Sequence, residues 1–100
     1  MSAYYILTQT VIDLEKYTQA YIAKVVPLLA KHKAEVLVAD FDAKPLQGDP
    51  AKSVVVIRFP SEQAIRDFLH DPDYQPILKV RISLTKNGNA VMAPEFTMPD

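Results

Sequence analysis

The chain has no cysteine and no tryptophan in its 100 residues, and only two glycines and two histidines. Without cysteine there is no disulfide, no thiolate nucleophile, no iron–sulfur cluster and no Cys-based zinc site, and the redox compartment is left open. Two glycines are too few for a glycine-rich phosphate loop, and neither a Walker-type Lys nor a Ser nucleophile elbow accompanies them. His32 and His70 stand apart among scattered carboxylates, a poor ligand set, so neither metal nor cofactor is expected. Asp40 and Asp42 do not open a calcium loop, because Pro45 stands where such a loop needs Gly and the closing Glu is missing. Excess charge is lacking too. With 11 Lys and Arg against 12 Asp and Glu the net charge is −1, and no broad positive field is available to nucleic acid or anionic lipid. No apolar run has the length of a bilayer span. The opening Met1 to Leu7 has no basic stretch, and Thr8, Gln9 and Thr10 cut its apolar run short, unlike a signal peptide. These absences predict a cytoplasmic protein with neither a nucleic-acid nor a membrane partner.

What is present is β-branched and aromatic. From Ala3 to Ile12 there is no Gly or Pro, which reads as a first strand. Asp13 caps a helix in which Leu14, Tyr17, Tyr21, Val25 and Leu28 follow at spacings of three and four, and the helix should reach about His32. Pro27 removes one backbone donor inside it and predicts a kink without a break. Glu35 to Phe41 reads as a second strand, and Asp42 to Lys52, with Pro45, Gly48 and Pro50, as a turn-rich loop. The β-branched run Val54 to Ile57 forms a third strand ending at Phe59. Pro60-Ser61 then hands the backbone to a second helix, with Ser61 as cap, Ala64, Ile65, Phe68 and Leu69 inward, and Glu62 paired with Arg66. Asp71 as cap and Pro72 at the first helical position predict a third helix bearing Tyr74, Ile77, Leu78, Arg81 and Ile82. Asn87-Gly88 reads as a turn before a short strand from Asn89 to Pro94.

The order strand, helix, strand, strand, helix, helix, strand is a ferredoxin-like α+β pattern, βαββααβ, in one domain spanning 1–100. Right-handed crossovers put all helices on one face of a four-stranded antiparallel sheet. The opposite face is then open, yet both sides of the strands are apolar: Val54 and Val56 oppose Val55 and Ile57, and Tyr4 and Ile6 oppose Tyr5 and Leu7. Such a face exceeds the roughly 300–600 Å² of apolar patch that a soluble monomer shows, so a symmetry mate is expected to cover it in a homodimer. The tail from Glu95 to Asp100 is expected either to fray or to lie against that partner.

These residues resemble the bacterial domain-of-unknown-function family 1330, within the dimeric α+β barrel superfamily. The resemblance is carried by Ala3-Tyr4-Tyr5, Tyr17, Pro27 with Leu29-Ala30-Lys31, Gly48-Asp49, Val54 through Ser61, Ala64, Phe68, Asp71 through Pro76, and Arg81. The stretch from Val54 to Tyr74 is the specific part. The resemblance implies a ferredoxin-like protomer whose sheet meets its mate across a two-fold axis, and it supplies no function. The chain departs from the family at Lys33-Ala34, where glycines are usual, at Ala39-Asp40, where Arg-Gly is usual, and at Arg58, where Glu is frequent.

Candidate site residues fall into two groups. Tyr74 and Arg81, two helical turns apart, suit a phenol and a guanidinium that orient an anionic or carbonyl-bearing small molecule, or equally a packed Tyr and an Arg at a dimer interface. Tyr5, a further ligand-binding candidate, lies with Tyr4, Tyr17 and Tyr21 on aromatic stripes that usually mean core, although a phenol pointing into a cavity would be usable. Arg58, a charge late in an apolar strand, needs water or a partner, and Asp40 on the neighbouring strand is the expected one, either structurally or as a ligand-binding pair. Each histidine sits near a helix end, where the dipole accounts for it, and neither has a carboxylate at a spacing that predicts a dyad. The sequence therefore points to a homodimer binding a small organic molecule between sheet and helices, with a cofactor-independent monooxygenase or isomerase as the alternative and a plain dimerisation module as a third class. It leaves open whether the protein is an enzyme.

Overall fold

The computed structural model describes residues 1–99; of the expected tail, Asp100 lies outside them. The strand β1 (Ala3–Val11) is followed by one helical stretch in three parts: α1 (Leu14–Tyr17), a wide π turn (Thr18–Ile22) and α2 (Ala23–Lys31). Then come β2 (Glu35–Asp40), β3 (Ser53–Phe59), α3 (Glu62–His70), α4 (Gln75–Ser83) and β4 (Thr85–Pro94). The strands pair antiparallel in the order β2-β3-β1-β4, the ferredoxin-like arrangement.

Local chemistry sets the helix ends. Asp13 accepts the Lys16 N–H at 3.1 Å and Ser61 accepts the Ala64 N–H at 3.1 Å, each satisfying an orphan donor of a first turn. The π turn lies just ahead of Pro27, whose ring crowds the carbonyl of Ala23, and the helix continues through the proline to Lys31. At its C-terminus His32 is the cap, Lys33 donates to Ala30 O at 3.0 Å and Ala34 to Leu29 O at 2.9 Å, a Schellman closure. That closure needs a left-handed residue, and Lys33 takes the role at φ 59° where the resembled family has glycine.

Three expectations are corrected. Asp71 does not cap α4. It ends α3 in extended conformation, and α4 starts at Gln75 with Pro76 in its first turn. Asp71 is committed elsewhere: its Oδ1 accepts the Asp73 N–H at 2.9 Å and its Oδ2 meets Lys31 and His32. Asn87-Gly88 is a bulge inside β4, where the register slips between Thr8↔Asn89 and Thr10↔Lys86, so that two residues stand opposite Gln9. Asn87 accommodates it at φ 56°. Finally, on α3 the pair one turn apart is Gln63 with Asp67 at 2.9 Å; among the described residues Glu62 and Arg66 make no ion pair.

All helices cover one face of the sheet. Toward them point Tyr5, Leu7 and Gln9 of β1 and Ser53, Val55, Ile57 and Phe59 of β3, meeting Tyr17, Tyr21, Val25, Leu28, Leu29, Ile65, Phe68 and Tyr74. The register sets Tyr4, Ile6, Val54, Val56, Val38 and Val91 on the other face, with Val38 and Val91 exposed. The molecule is only 17 Å through its thinnest axis, and among the described residues no second layer covers that face.

Candidate functional site

Beneath the first helical stretch, between α2, the π turn and the sheet, lies a cavity of about 310 Å³. Its floor is Tyr5, Leu7, Val55 and Ile57, and its roof comprises Tyr17, Tyr21, Val25 and Leu29, with Phe41 and Phe68 closing the ends. The exposed Val26, Val36 and Ala39 also line it, which puts the mouth between α2 and the edge strand β2. The walls are aromatic by construction: Tyr17 and Tyr21, one turn apart, stack with centroids 5.0 Å apart, and Phe41 meets Tyr17 edge-on at 6.1 Å.

A polar cluster closes the inner end. Arg81 donates from Nη1 to Gln9 Oε1 at 3.0 Å, and Gln9 Nε2 donates to the Tyr17 hydroxyl at 2.8 Å. The hydroxyls of Tyr21 and Tyr74 bond to each other at 3.0 Å, and the Tyr74 ring packs on Phe68 at 4.4 Å. Burial disfavours the phenolate, and it pushes the phenols upward: Tyr17 to about 12, Tyr21 further, and Tyr5 in the same direction against the opposing field of Arg81. All three are neutral donors at pH 7. Among the described residues the Tyr5 hydroxyl makes no side-chain hydrogen bond.

Of the residues singled out from sequence, Tyr5, Tyr74 and Arg81 belong to one neighbourhood. Tyr5 lines the cavity, whereas Tyr74, fully buried, and Arg81 stand behind its wall. Arg58 and Asp40 lie elsewhere. Arg58 pairs with Glu35, its cross-strand neighbour on the open face, and not with Asp40. Asp40 faces Val54 across β2 and β3, and its carboxylate accepts the Asp42 N–H at 2.9 Å to start the loop.

The sequence reading missed a dyad. His32 Nε2 lies 2.7 Å from Asp71 Oδ2, an oxygen shared with Lys31 Nζ at 2.8 Å. Lys31, then His32, together with the Asp73 N–H hold the Asp71 carboxyl well below the usual carboxylate range. The His32 ring meets Phe68 edge-on at 5.8 Å on the side away from the cavity lining, so this cluster ties α2 to the α3–α4 corner and does not reach the cavity. Gln9, Tyr17 and Tyr21 were also missed as a set. The usable signal was Gln9 itself, a polar residue on the inward parity of β1 beside Tyr5 and Leu7.

A family model described as a domain of unknown function, DUF1330, matches residues 2–95. No curated protein matches the sequence. Among solved structures, a protein of unknown function from Rhodopseudomonas palustris superposes with a TM-score of 0.80 at 14% identity, over 97% of this chain and 84% of that one. SnoaB, a cofactor-independent oxygenase from Streptomyces nogalater, gives 0.67 at 13% identity over 99% and 98%. A dimeric ferredoxin-like protein of unknown function from Thermobifida fusca gives 0.58 at 18% identity over 95% and 92%. At such identities the likeness is one of fold.

Proposed function

Because the chain belongs to the DUF1330 family, whose description carries no activity, we propose from its own residues that it is a homodimeric protein binding a small, largely apolar organic molecule in the cavity under the first helix. The observation that carries this is an aromatic-walled space of about 310 Å³ lined by Tyr5, Tyr17 and Tyr21, with the Tyr17 and Tyr21 hydroxyls held by Gln9 and Tyr74 from behind. That volume is at the lower end of ligand pockets, roughly 300–1,000 Å³. An aromatic ligand would lie against Tyr17 and Tyr21, and a carbonyl or hydroxyl on it would accept from Tyr5. Gln9, Tyr74 and Arg81 hold the phenols in place from behind. Arg58 and Asp40 have no part in this site; Arg58 with Glu35 belongs to the face assigned to the second copy. The homodimer is supported by the uncovered apolar sheet face and by the dimeric state named for the Thermobifida fusca neighbour. A cytoplasmic location belongs to the same reading.

The alternative, a cofactor-independent monooxygenase or isomerase, draws on the fold shared with SnoaB. It requires a base facing the substrate. The phenols that line the cavity are pushed upward and donate protons at neutral pH, and His32 is bound to Asp71 behind Phe68. Binding is therefore the better-supported reading.

The test is titration with the neutral fluorophore N-phenyl-1-naphthylamine. Saturable, blue-shifted emission is expected, and Ala39→Trp, which fills the mouth from an exposed edge position, should abolish it while leaving the circular dichroism spectrum unchanged. Absence of saturation, or equal binding by the variant, would overturn the reading.

A further inference from the structure

Arg81 is a cation in want of an anion. Its side chain is only partly exposed, and among the described residues no carboxylate oxygen lies within 4.0 Å of it. Its Nε–H is buried with no acceptor, and its hydrogen bond to Gln9 is to a neutral group. Burial disfavours its charge, and the offset comes from the phenols of Tyr5, Tyr74 and Tyr21, with Tyr74 also hydrogen-bonded to it; none of these is a carboxylate. A guanidinium drawn out of water among neutral partners has lost solvation that they replace only in part.

Arg81 also lines a second pocket of about 370 Å³, at the junction of α4 and β4. Arg81 and Ile82 form one wall, and Thr85 to Ala90 form the other. Two of its lining residues are cations, Arg81 and Lys86; two are amides, Asn87 and Asn89; none is acidic. The β4 bulge sits within that wall, and Gly88 lies over Gln9, where even an added Cβ would come no closer than 3.8 Å to the Gln9 Cβ. A bulge interrupts the ladder and leaves backbone groups without strand partners. Leu7 is the one residue lining both this pocket and the aromatic cavity, so the two are neighbours with different chemistry.

We propose that the pocket at the α4–β4 junction is a binding site for a small oxyanion, a carboxylate or phosphate group, held by Arg81 from the helix and Lys86 from the strand. With Nη1 on Gln9, the guanidinium offers either group a charge-assisted hydrogen bond, and Lys86 adds a point charge at the rim. The bound anion supplies the counter-charge that the interior of the protomer lacks. This site does not depend on the aromatic cavity being a ligand site, since a neutral probe reads one and an anion reads the other.

The experiment is a titration of the ¹⁵N-labelled full chain with sodium benzoate and, separately, sodium phosphate, at ionic strength held constant with sodium chloride. The readouts are the amide signals of Asn87 and Gly88 and the side-chain Nε–H signal of Arg81. Saturable shifts of these signals are expected with at least one of the two anions. Benzoate alone reports an organic acid as the natural occupant, phosphate alone a phosphate-bearing one, and both support the site. Arg81→Gln should weaken binding at least about tenfold, the loss of one charge-assisted hydrogen bond. Lys86→Gln, at an exposed position, should weaken it by a smaller factor, and it keeps the test open if Arg81→Gln does not fold. Shifts that never saturate, that match those in chloride, or that persist unchanged in Lys86→Gln and spread over other lysines would overturn the proposal.

Discussion

Removing the Tyr74 hydroxyl should cost stability that removing the Tyr21 hydroxyl as well in part returns. Tyr21 and Tyr74 are both buried, Tyr74 completely, and their hydroxyls bond at 3.0 Å. Tyr21→Phe takes away that bond, worth about 0.5–1.5 kcal/mol net, and leaves a hydroxyl in the interior short of one partner, a penalty of about 1–3 kcal/mol. The two single variants are not equivalent. In Tyr21→Phe the remaining Tyr74 hydroxyl still lies near the Arg81 guanidinium, which compensates it in part, so a loss of about 1 kcal/mol is expected. In Tyr74→Phe the Tyr21 hydroxyl has lost its one hydrogen-bond partner, and about 2 kcal/mol is expected. The double variant should lie near the milder single, giving a coupling of about 1–2 kcal/mol. The assay is urea unfolding followed by far-ultraviolet circular dichroism at one fixed protein concentration, since the proposed dimer would make apparent stability concentration-dependent. Because Tyr21 is held far above its usual value, the coupling should be the same at pH 6 and pH 9. Additive losses, with coupling under about 0.3–0.5 kcal/mol, would refute the claim that these hydroxyls act as one buried pair.

Lys33→Gly replaces a left-handed non-glycine residue at φ 59° in the Schellman closure and should stabilise the protein by about 0.5–1 kcal/mol, the strain relieved less the added freedom of the unfolded chain, as a rise in urea midpoint shows. The folded-state value of the Asp71 carboxyl is depressed by Lys31, His32 and the Asp73 N–H, so its contribution is complete above its unfolded value of about 3.9 and fades as pH falls below that. The urea midpoints of wild type and Asp71→Asn should therefore differ most near pH 6–7 and converge as the pH is lowered through about 4; a constant gap down to pH 2 would contradict this. Val56→Asp sets a carboxylate between Ile6 and Val38 on the face assigned to a second copy, and sedimentation velocity at micromolar concentration should show monomer where the proposed wild-type homodimer predicts a dimer.

Local signals and long-range signals fared differently. Asp13 and Ser61 were readable as caps because a cap is decided within four residues. The strand and helix order was readable because the apolar period changes from two to three or four along the chain. Asn87-Gly88 misled because the pair is the commonest hairpin signal, while the flanking residues stay paired with β1 and turn it into a bulge. Pro72 looked like a helix start, but Asp71 is held by Lys31 and by His32 at the end of α2, and the start moves to Gln75, just before Pro76. The same distance hid the His32–Asp71 dyad, 39 residues apart. For Arg58, strand parity indicated its face correctly, but only the hairpin register chooses Glu35 over Asp40. Of the candidate site, the sequence named Tyr5, which lines the cavity, and Tyr74 and Arg81, which stand behind its wall, whereas Gln9, Tyr17 and Tyr21 looked like ordinary inward residues until the fold brought α4 against β1.

The central claim is that the aromatic-walled space under the first helix takes a ligand. It is met most directly by intermolecular nuclear Overhauser effects between naphthalene, a small neutral aromatic, and the methyl groups of a methyl-labelled sample. Saturable cross-peaks from the methyls of Leu7, Val25, Leu29 and Ile57, which line the cavity, are predicted. Cross-peaks confined to Val38, Val54, Val56 and Val91 on the opposite face, or none at all, would contradict it.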